Sequence, residues 1–426
     1  MVYVLFGLLM LFLLMGIPIS FSLILASIFA VLTGTHVPMM IGPQMMLTGV
    51  NSFPLMAIPF FLLAGNIMSV GGISRRLIKL ANAIVGSVTG GLGAVTVLAC
   101  MFFAAISGSS PATAAAIGSV MIPSMEEKGY DRKYSAALVA SGGVIGVVIP
   151  PSIPMVVYGV TASASVGGMF LGGIIPGILM GVMLIILNYY YSKKYGYVGY
   201  EKFNWKKFGK AFADSLFALL MPVIILGGIY SGIFTPTESA VIAAVYGLIV
   251  GIYVYKELKW SDLGKIFADS ARTTSMILIL IAAAIFFGWF LSSEQIQQHI
   301  ASAVLSVTTN RYLILLFFDI IFLIAGTFLD AIASILLLTP IFLPIMKQCN
   351  ISPLLMGVLM TVDLAIGQIT PPVGLNLFVC CVIAKIKFGD IIKPIIPFII
   401  GLCVILFFIT YVPSIVMFLP NLFNYK

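Results

Sequence analysis

Apolar residues run through this chain in unbroken stretches rather than in alternation, and that continuity limits the folds open to it. The stretches lie near 2–16, 18–33, 54–70, 91–106, 134–162, 166–191, 212–234, 238–256, 272–292, 311–327, 353–384 and 394–419. In hydrocarbon only helices and closed barrels satisfy their own backbone groups, and a barrel strand alternates. An all-α, polytopic membrane bundle follows, with roughly a dozen crossings at about 20 residues each. Composition agrees: 61% hydrophobic against 8% charged residues cannot supply a water-facing shell, so a lipid bilayer must contact much of the surface. The stretches 73–89 and 294–308 are amphipathic, so whether they cross or lie in the interface stays open. Residues 1–30 are apolar from the second position, with no basic start and no small-residue cleavage site, and read as a retained helical segment.

Charge gives the orientation. The net charge of +8 does not point to nucleic acid, because the bases sit in short connections, the positive-inside pattern of a multi-pass bacterial inner-membrane protein. The main polar interruption, 192–210, carries Lys193, Lys194, Lys202, Lys206, Lys207 and Lys210 against Glu201 and is expected to be a cytoplasmic linker. Further basic connections stand at Arg75, Arg76 and Lys79, across 256–272, and at Lys385, Lys387 and Lys393.

The halves on either side of this linker repeat each other. Residues 105–176 align without a gap on 326–397, setting Pro123 on Pro344, Gly146 on Gly367, Pro150 and Pro151 on Pro371 and Pro372, Gly168 on Gly389, and Pro176 on Pro397. LFGLLM at 5–10 also echoes LFALLM at 216–221, at another spacing. This is an internal duplication. Keeping 126–133 and 385–393 inside, and 347–352 outside, requires the copies to run in opposite directions. The expected organisation is therefore a first inverted repeat at 1–191, the linker, and a second at 211–426.

Two stretches in each copy carry the chemistry. SGSSPAT at 107–113 and GTFLD at 326–330 each precede an apolar run too short to span, predicting re-entrant hairpins at about 107–125 and about 328–346. SGGVIGVVIPPS at 141–152 and DLAIGQITPPVGLN at 363–376 each hold a Pro-Pro pair that removes two amide donors and breaks a helix within the membrane. Carbonyls freed at such a break, with nearby hydroxyls, are the hard oxygen ligands that an alkali cation takes, so two breaks predict two cation sites. The bland alternative is that glycine and proline serve only packing and kinks; recurrence of the break beside a hairpin in both halves argues against it.

Asp330 and Asp363 lie in these stretches with no base nearby in sequence, and a carboxylate at membrane depth needs a partner or a cavity. Asp330 aligns with Ser109 at the hairpin start and is the stronger candidate. Asp319 and Glu238 are further intramembrane acids, but TPTE at 235–238 has the spacing of a helix capping box, giving Glu238 a structural role. The five cysteines read as small buried side chains. Two histidines, His36 and His299, support no catalytic triad, zinc site or haem pair, and there is no phosphate-binding GxxxxGK[ST], so the chain reads as a transporter rather than an enzyme, with ion coupling in place of ATP and no cofactor.

At these residues the sequence resembles the large membrane subunit of tripartite ATP-independent periplasmic (TRAP) transporters. The matching stretches are FPLMAIPFF at 53–61, SGSSPAT at 107–113, PSMEEKGY at 123–130, GVVIPPSIP at 146–154 and GQITPPVGLN at 367–376. The resemblance implies a small membrane (Q) subunit as a separate partner chain, a periplasmic substrate-binding protein, sodium as coupling ion, and an elevator motion of a transport domain against a scaffold, each drawn from both repeats. It also implies the site residues. Ser107, Ser110, Gly146, Val148 and Pro150 would form one sodium site, and Gly326, Thr327, Gly367, Thr370 and Asn376 the other. Substrate would lie near Ser109, Ser152 and Asp330. Family substrates are mostly small carboxylates, among them C4-dicarboxylates and sialic acid; an aspartate at the site suits a hydroxyl-rich monoanion, hence sialic acid. A sodium symporter working without a binding protein, a channel, and an intramembrane enzyme remain as alternatives.

Overall fold

A computed structural model describes residues 2–34, 38–197 and 203–425; His36, Glu201 and Lys202 lie outside the described residues. The described residues form α-helices and short 3-10 or π turns, with no strand among them. The first half contains α1 (Val2–Leu14), α2 (Ile19–Gly34), α3 (Ile41–Val50), α4 (Ala57–Val70), α5 (Ile73–Val85), α6 (Gly91–Ser107), α7 (Ser110–Glu127), α8 (Arg132–Gly143), α9 (Ile153–Thr161) and α10 (Val166–Tyr195). The second contains α11 (Trp205–Tyr230), α12 (Pro236–Ile249), α13 (Trp260–Ser293), α14 (Ile296–Val307), α15 (Arg311–Phe328), α16 (Ala331–Gln348), α17 (Pro353–Gly367), α18 (Leu375–Ala384), α19 (Phe388–Tyr411) and α20 (Ser414–Leu422). Among the described residues, eight helices are long and apolar enough to cross a membrane.

The sequence repeat is also a structural one. Helix α7 begins at Ser110 and ends at Glu127; α16 begins and ends 221 positions later, at Ala331 and Gln348. Arg132, which opens α8, stands the same distance before Pro353, which opens α17. Packing repeats as well: α6 lies on α8 as α15 lies on α17, and α7 of the first copy packs on α18 of the second while α16 packs on α9.

The hairpins are longer than the sequence intervals given for them. Only two residues, Gly108 and Ser109, separate α6 from α7, and only Leu329 and Asp330 separate α15 from α16. Each hairpin therefore takes in the preceding helix, which the sequence alone read as an independent span. A helix that turns back through two residues packs against its successor, and that pairing depends on three dimensions. Gly108 makes the first turn. Its φ is +60°, and a side chain there would press on the Pro151 carbonyl oxygen, 2.7 Å from where Cβ would stand.

Both Pro-Pro breaks are present. Helix α8 ends at Gly143 and passes through a 3-10 turn before α9, whereas α17 ends at Gly367 and α18 starts at Leu375. Both Pro-Pro peptide bonds are cis. Basic connections that charge alone placed on one side also meet in space. The Lys133 ammonium lies 2.8 Å from Asp390, Arg76 lies 2.7 Å from Glu257, and the backbone N–H of Asp131 donates to the Tyr197 hydroxyl at 3.0 Å. Trp205 and Trp260, 77% and 69% exposed at the starts of α11 and α13, sit where an interfacial aromatic belt would stand. The capping box at 235–238 is formed: Glu238 accepts from the Thr235 N–H at 2.8 Å and the Thr235 hydroxyl accepts from the Glu238 N–H at 3.2 Å.

Candidate functional site

The tip of the first hairpin folds around its own hydroxyls. Ser107 and Thr113 bring their hydroxyl oxygens to 2.7 Å, and Thr113 also donates to the Ser109 carbonyl at 2.8 Å. The break of the same copy closes on this cluster. The Ile153 N–H reaches the Gly108 carbonyl at 3.4 Å, and the Gly146 Cα faces both the Thr113 hydroxyl and the Ser109 carbonyl, leaving no room for a side chain. Ser107, Gly146 and the Ser109 backbone are thus brought together, with Thr113 and the Pro151 carbonyl as members not singled out from sequence. Thr113 carried a signal, as the last residue of SGSSPAT. The Val148 carbonyl instead packs against Gly173 of α10, and Pro150 lies in the turn behind the tip.

In the second copy α15 and α17 approach backbone to backbone. A Cβ on Gly367 would stand 2.5 Å from the backbone of Gly326, so the crossing needs glycine on both helices. The Gly374 N–H donates to the Thr327 carbonyl at 3.2 Å, tying the break to the hairpin tip. The Thr327 and Thr370 hydroxyls donate back to their own helices, at Ile324 and Ile366, and keep their lone pairs. Asn376 is buried and crosses between the copies. Its amide nitrogen donates to the Ser110 hydroxyl at 2.6 Å and to the Ala140 carbonyl at 3.3 Å, while its side-chain oxygen has no hydrogen-bond partner. The Gln368 side-chain oxygen in the same break is also buried and unpartnered. Ser110 and Asn376, assigned to different sites from sequence, are therefore bonded to each other. Buried acceptor oxygens left without a donor are what a bare alkali cation would fit.

A cavity of about 490 Å³ opens beside the first tip, between it and helices α4 and α13. Ser107, Ser109 and Phe103 line one wall; Asn66, Ser69 and Thr273 line the other. The Asn66 amide is held by the Ser270 hydroxyl of α13, at 2.8 Å. Ser109 precedes α7 in extended conformation with no side-chain cap, so the N–H groups of Ser110 and Ala112, on either side of Pro111, and the positive end of an 18-residue helix dipole are left for a ligand. Among the described residues no basic side chain lines this cavity. Asn66 was missed from sequence, although it is the lone amide in the apolar run 54–70.

Ser152 and Asp330 stand differently. Ser152 is fully buried: its hydroxyl donates to the Val147 carbonyl, accepts from the Met155 N–H and caps α9, away from the cavity wall. Asp330, at the second tip, is exposed and caps α16, accepting from the Ile332 N–H at 3.0 Å. Neither is among the residues that line the cavity beside Ser109.

Residues 6–415 match the family described as tripartite ATP-independent periplasmic transporter, DctM component. Among curated relatives, the isethionate TRAP transporter permease protein DctMQ of Oleidesulfovibrio alaskensis is 47% identical over 97% of this chain, which spans 66% of that protein's length. The C4-dicarboxylate TRAP transporter large permease DctM of Pseudomonas aeruginosa is 43% identical over 87% of the chain and 86% of the relative. The sialic acid TRAP transporter large permease SiaM of Vibrio cholerae is 35% identical, with 96% of each covered. In fold the chain is similar to the MtrF structure of Neisseria gonorrhoeae, with a TM-score of 0.66 at 15% identity and 94% of each chain covered. The YdaH transporter structure of Alcanivorax borkumensis gives 0.61 at 14% identity, with 86% of each covered.

Proposed function

This chain belongs to the DctM component family of tripartite ATP-independent periplasmic transporters, and from that premise we propose that it is the sodium-coupled large permease for a small organic monoanion. The cavity beside Ser109 carries the reading. Its polar groups are hydroxyls, one amide and an uncapped helix start, and among the described residues it has no fixed positive charge. Neutral donors and one helix dipole suit a single negative charge better than two, because a second would enter a low-dielectric space without compensation. Hydroxyl and amide donors also match a hydroxylated substrate. Sialic acid fits that chemistry, and so does isethionate, which the 47% identical relative is named for.

Sodium coupling is supported by the paired breaks and by the acceptor oxygens of Asn376 and Gln368 that lack donors. In this reading Ser107, Ser110, Gly146, Thr113 and the Ser109 carbonyl hold one ion, and Gly326, Thr327, Gly367, Thr370 and Asn376 the other, while Val148 and Pro150, turned away from the tip, stand outside it. Helices α6–α9 and α15–α18, interlocked through Asn376 and Ser110, move as the transport domain against a scaffold drawn from the remaining helices of both repeats. Partners follow the family description and the DctMQ relative: a small membrane (Q) subunit and a periplasmic protein that delivers substrate.

Uptake by proteoliposomes holding the whole transporter, with labelled isethionate, sialic acid and succinate, tests this reading. Accumulation of a monoanion against its gradient, driven by sodium and requiring the binding protein, is expected. Flux that never exceeds equilibration would indicate a channel, and uptake without the soluble partner a simple symporter.

A further inference from the structure

Two acids that the transport reading leaves unused face each other inside the second copy. Asp363 of α17 is fully buried and Asp319 of α15 is 4% exposed. Asp319 faces both Asp363 and the hydroxyl of Thr410, near the end of α19, and Cys403, two turns earlier on α19, is close enough to act on Asp363 through its charge. Both oxygens of Asp363, one of Asp319 and the buried Thr410 hydroxyl have no hydrogen-bond partner. Among the described residues neither acid pairs with a base.

The fold does not require these acids. At the matching positions the first copy has Leu98 and Gly142 and builds the same helix crossing without them. Two ionised carboxylates cannot share a dry space without a positive charge, and a proton is the smallest that would serve. A metal ion fits less well, because α15 and α17, the helices that carry the two acids, run unbroken past these side chains and free no carbonyls beside them. Asp363 precedes Gly367 by four residues, one helical turn, and Asp319 precedes Gly326 by seven, so the pair lies close behind the second break without belonging to it. A cavity of about 330 Å³ at that break is lined by Thr327, Thr370, Pro371 and Cys403, which stands two helical turns before Thr410 on α19; the acids themselves lie behind its wall.

We infer that Asp319 and Asp363, with Thr410, form a proton site whose occupancy opposes sodium binding at the second break. The inference rests on the sodium-coupled reading. When sodium enters, one carboxyl O–H bond breaks, its electron pair stays on the carboxylate, and the proton leaves to water. One positive charge replaces another. Among the described residues, the titratable groups acting on the pair are the two acids themselves and Cys403; Tyr411, next to Thr410, turns its hydroxyl to the Tyr312 carbonyl at 3.4 Å, and Tyr158 of α9 meets α17 at Gly357, nearly two turns away.

Sodium-dependent thermal stabilisation of the purified wild-type chain, read at about pH 8 and about pH 5.5, is the test. The half-saturating sodium concentration is expected to rise about tenfold on acidification, the size of one charge acting across roughly 10 Å at an effective dielectric of roughly 20. Asp319→Asn and Asp363→Asn are each expected to bind sodium with little dependence on pH. An infrared band of a protonated carboxyl should appear in the wild type and weaken in either variant. If sodium stabilises the protein equally at both pH values, the proton site is overturned. If sodium stabilises it at neither, the sodium reading fails instead, and the infrared comparison decides the proton site: no carboxyl band lost from either variant overturns it. Thr410→Val, which keeps both acids, is expected to move the pH at which sodium affinity changes, and an unmoved midpoint removes Thr410 from the site.

Discussion

Asp330 shows how one residue can hold two roles that the right substitution separates. Its carboxylate caps α16, and loss of an N-cap costs about 1 kcal/mol, whereas asparagine caps as well as aspartate. Asp330→Ala should therefore lower the melting temperature slightly, while Asp330→Asn should leave it unchanged; if the charge serves transport, both should lose most uptake. Near-normal uptake by Asp330→Asn would confine the residue to capping. Ser109 offers the complementary case. Its side chain makes no capping bond, so Ser109→Ala should keep full stability and lower substrate affinity roughly tenfold, as removal of one hydrogen-bond donor does in a site of this kind. Binding measured by calorimetry and melting measured on the same sample check both halves of the statement.

At the scale of elements, opposite charge and cap chemistry make two tests independent of transport. Glu238→Ala opens the capping box of α12 and should cost about 1 kcal/mol in stability with uptake retained, measured by thermal melting beside flux. Topology is read with single cysteines in a background lacking the five native ones. Lys194→Cys, at the end of α10, should react with an impermeant reagent only from the cytoplasm, and Asn350→Cys, between α16 and α17, only from outside. Labelling of both from one side would defeat the inverted arrangement of the copies. The hairpin tips and helix breaks are marked in the sequence, because glycine and proline produce them by local backbone chemistry. That α6 and α15 are hairpin limbs was not legible there, because an apolar helix looks alike whether its neighbour is lipid or its own successor.

For the whole molecule, transport through two cation sites implies a steep sodium dependence: initial uptake plotted against sodium should be sigmoidal, and potassium should not replace it. A hyperbolic curve would leave one coupled ion. The membrane class, the duplication and the places where helices break were all legible in the chain itself, since each depends on periodicity, internal alignment or the backbone limits of single residue types. Which residues meet was decided by the tertiary structure alone. Asn376 of one copy bonds to Ser110 of the other, Asn66 of α4 comes to face Ser109 across a cavity, and Asp319 finds Asp363, all across separations along the chain that carry no local signal. Apolar runs specify that helices form and enter the bilayer, but in a medium as apolar as their own side chains it is close packing at glycine crossings and a few buried polar contacts that decide which helices lie together.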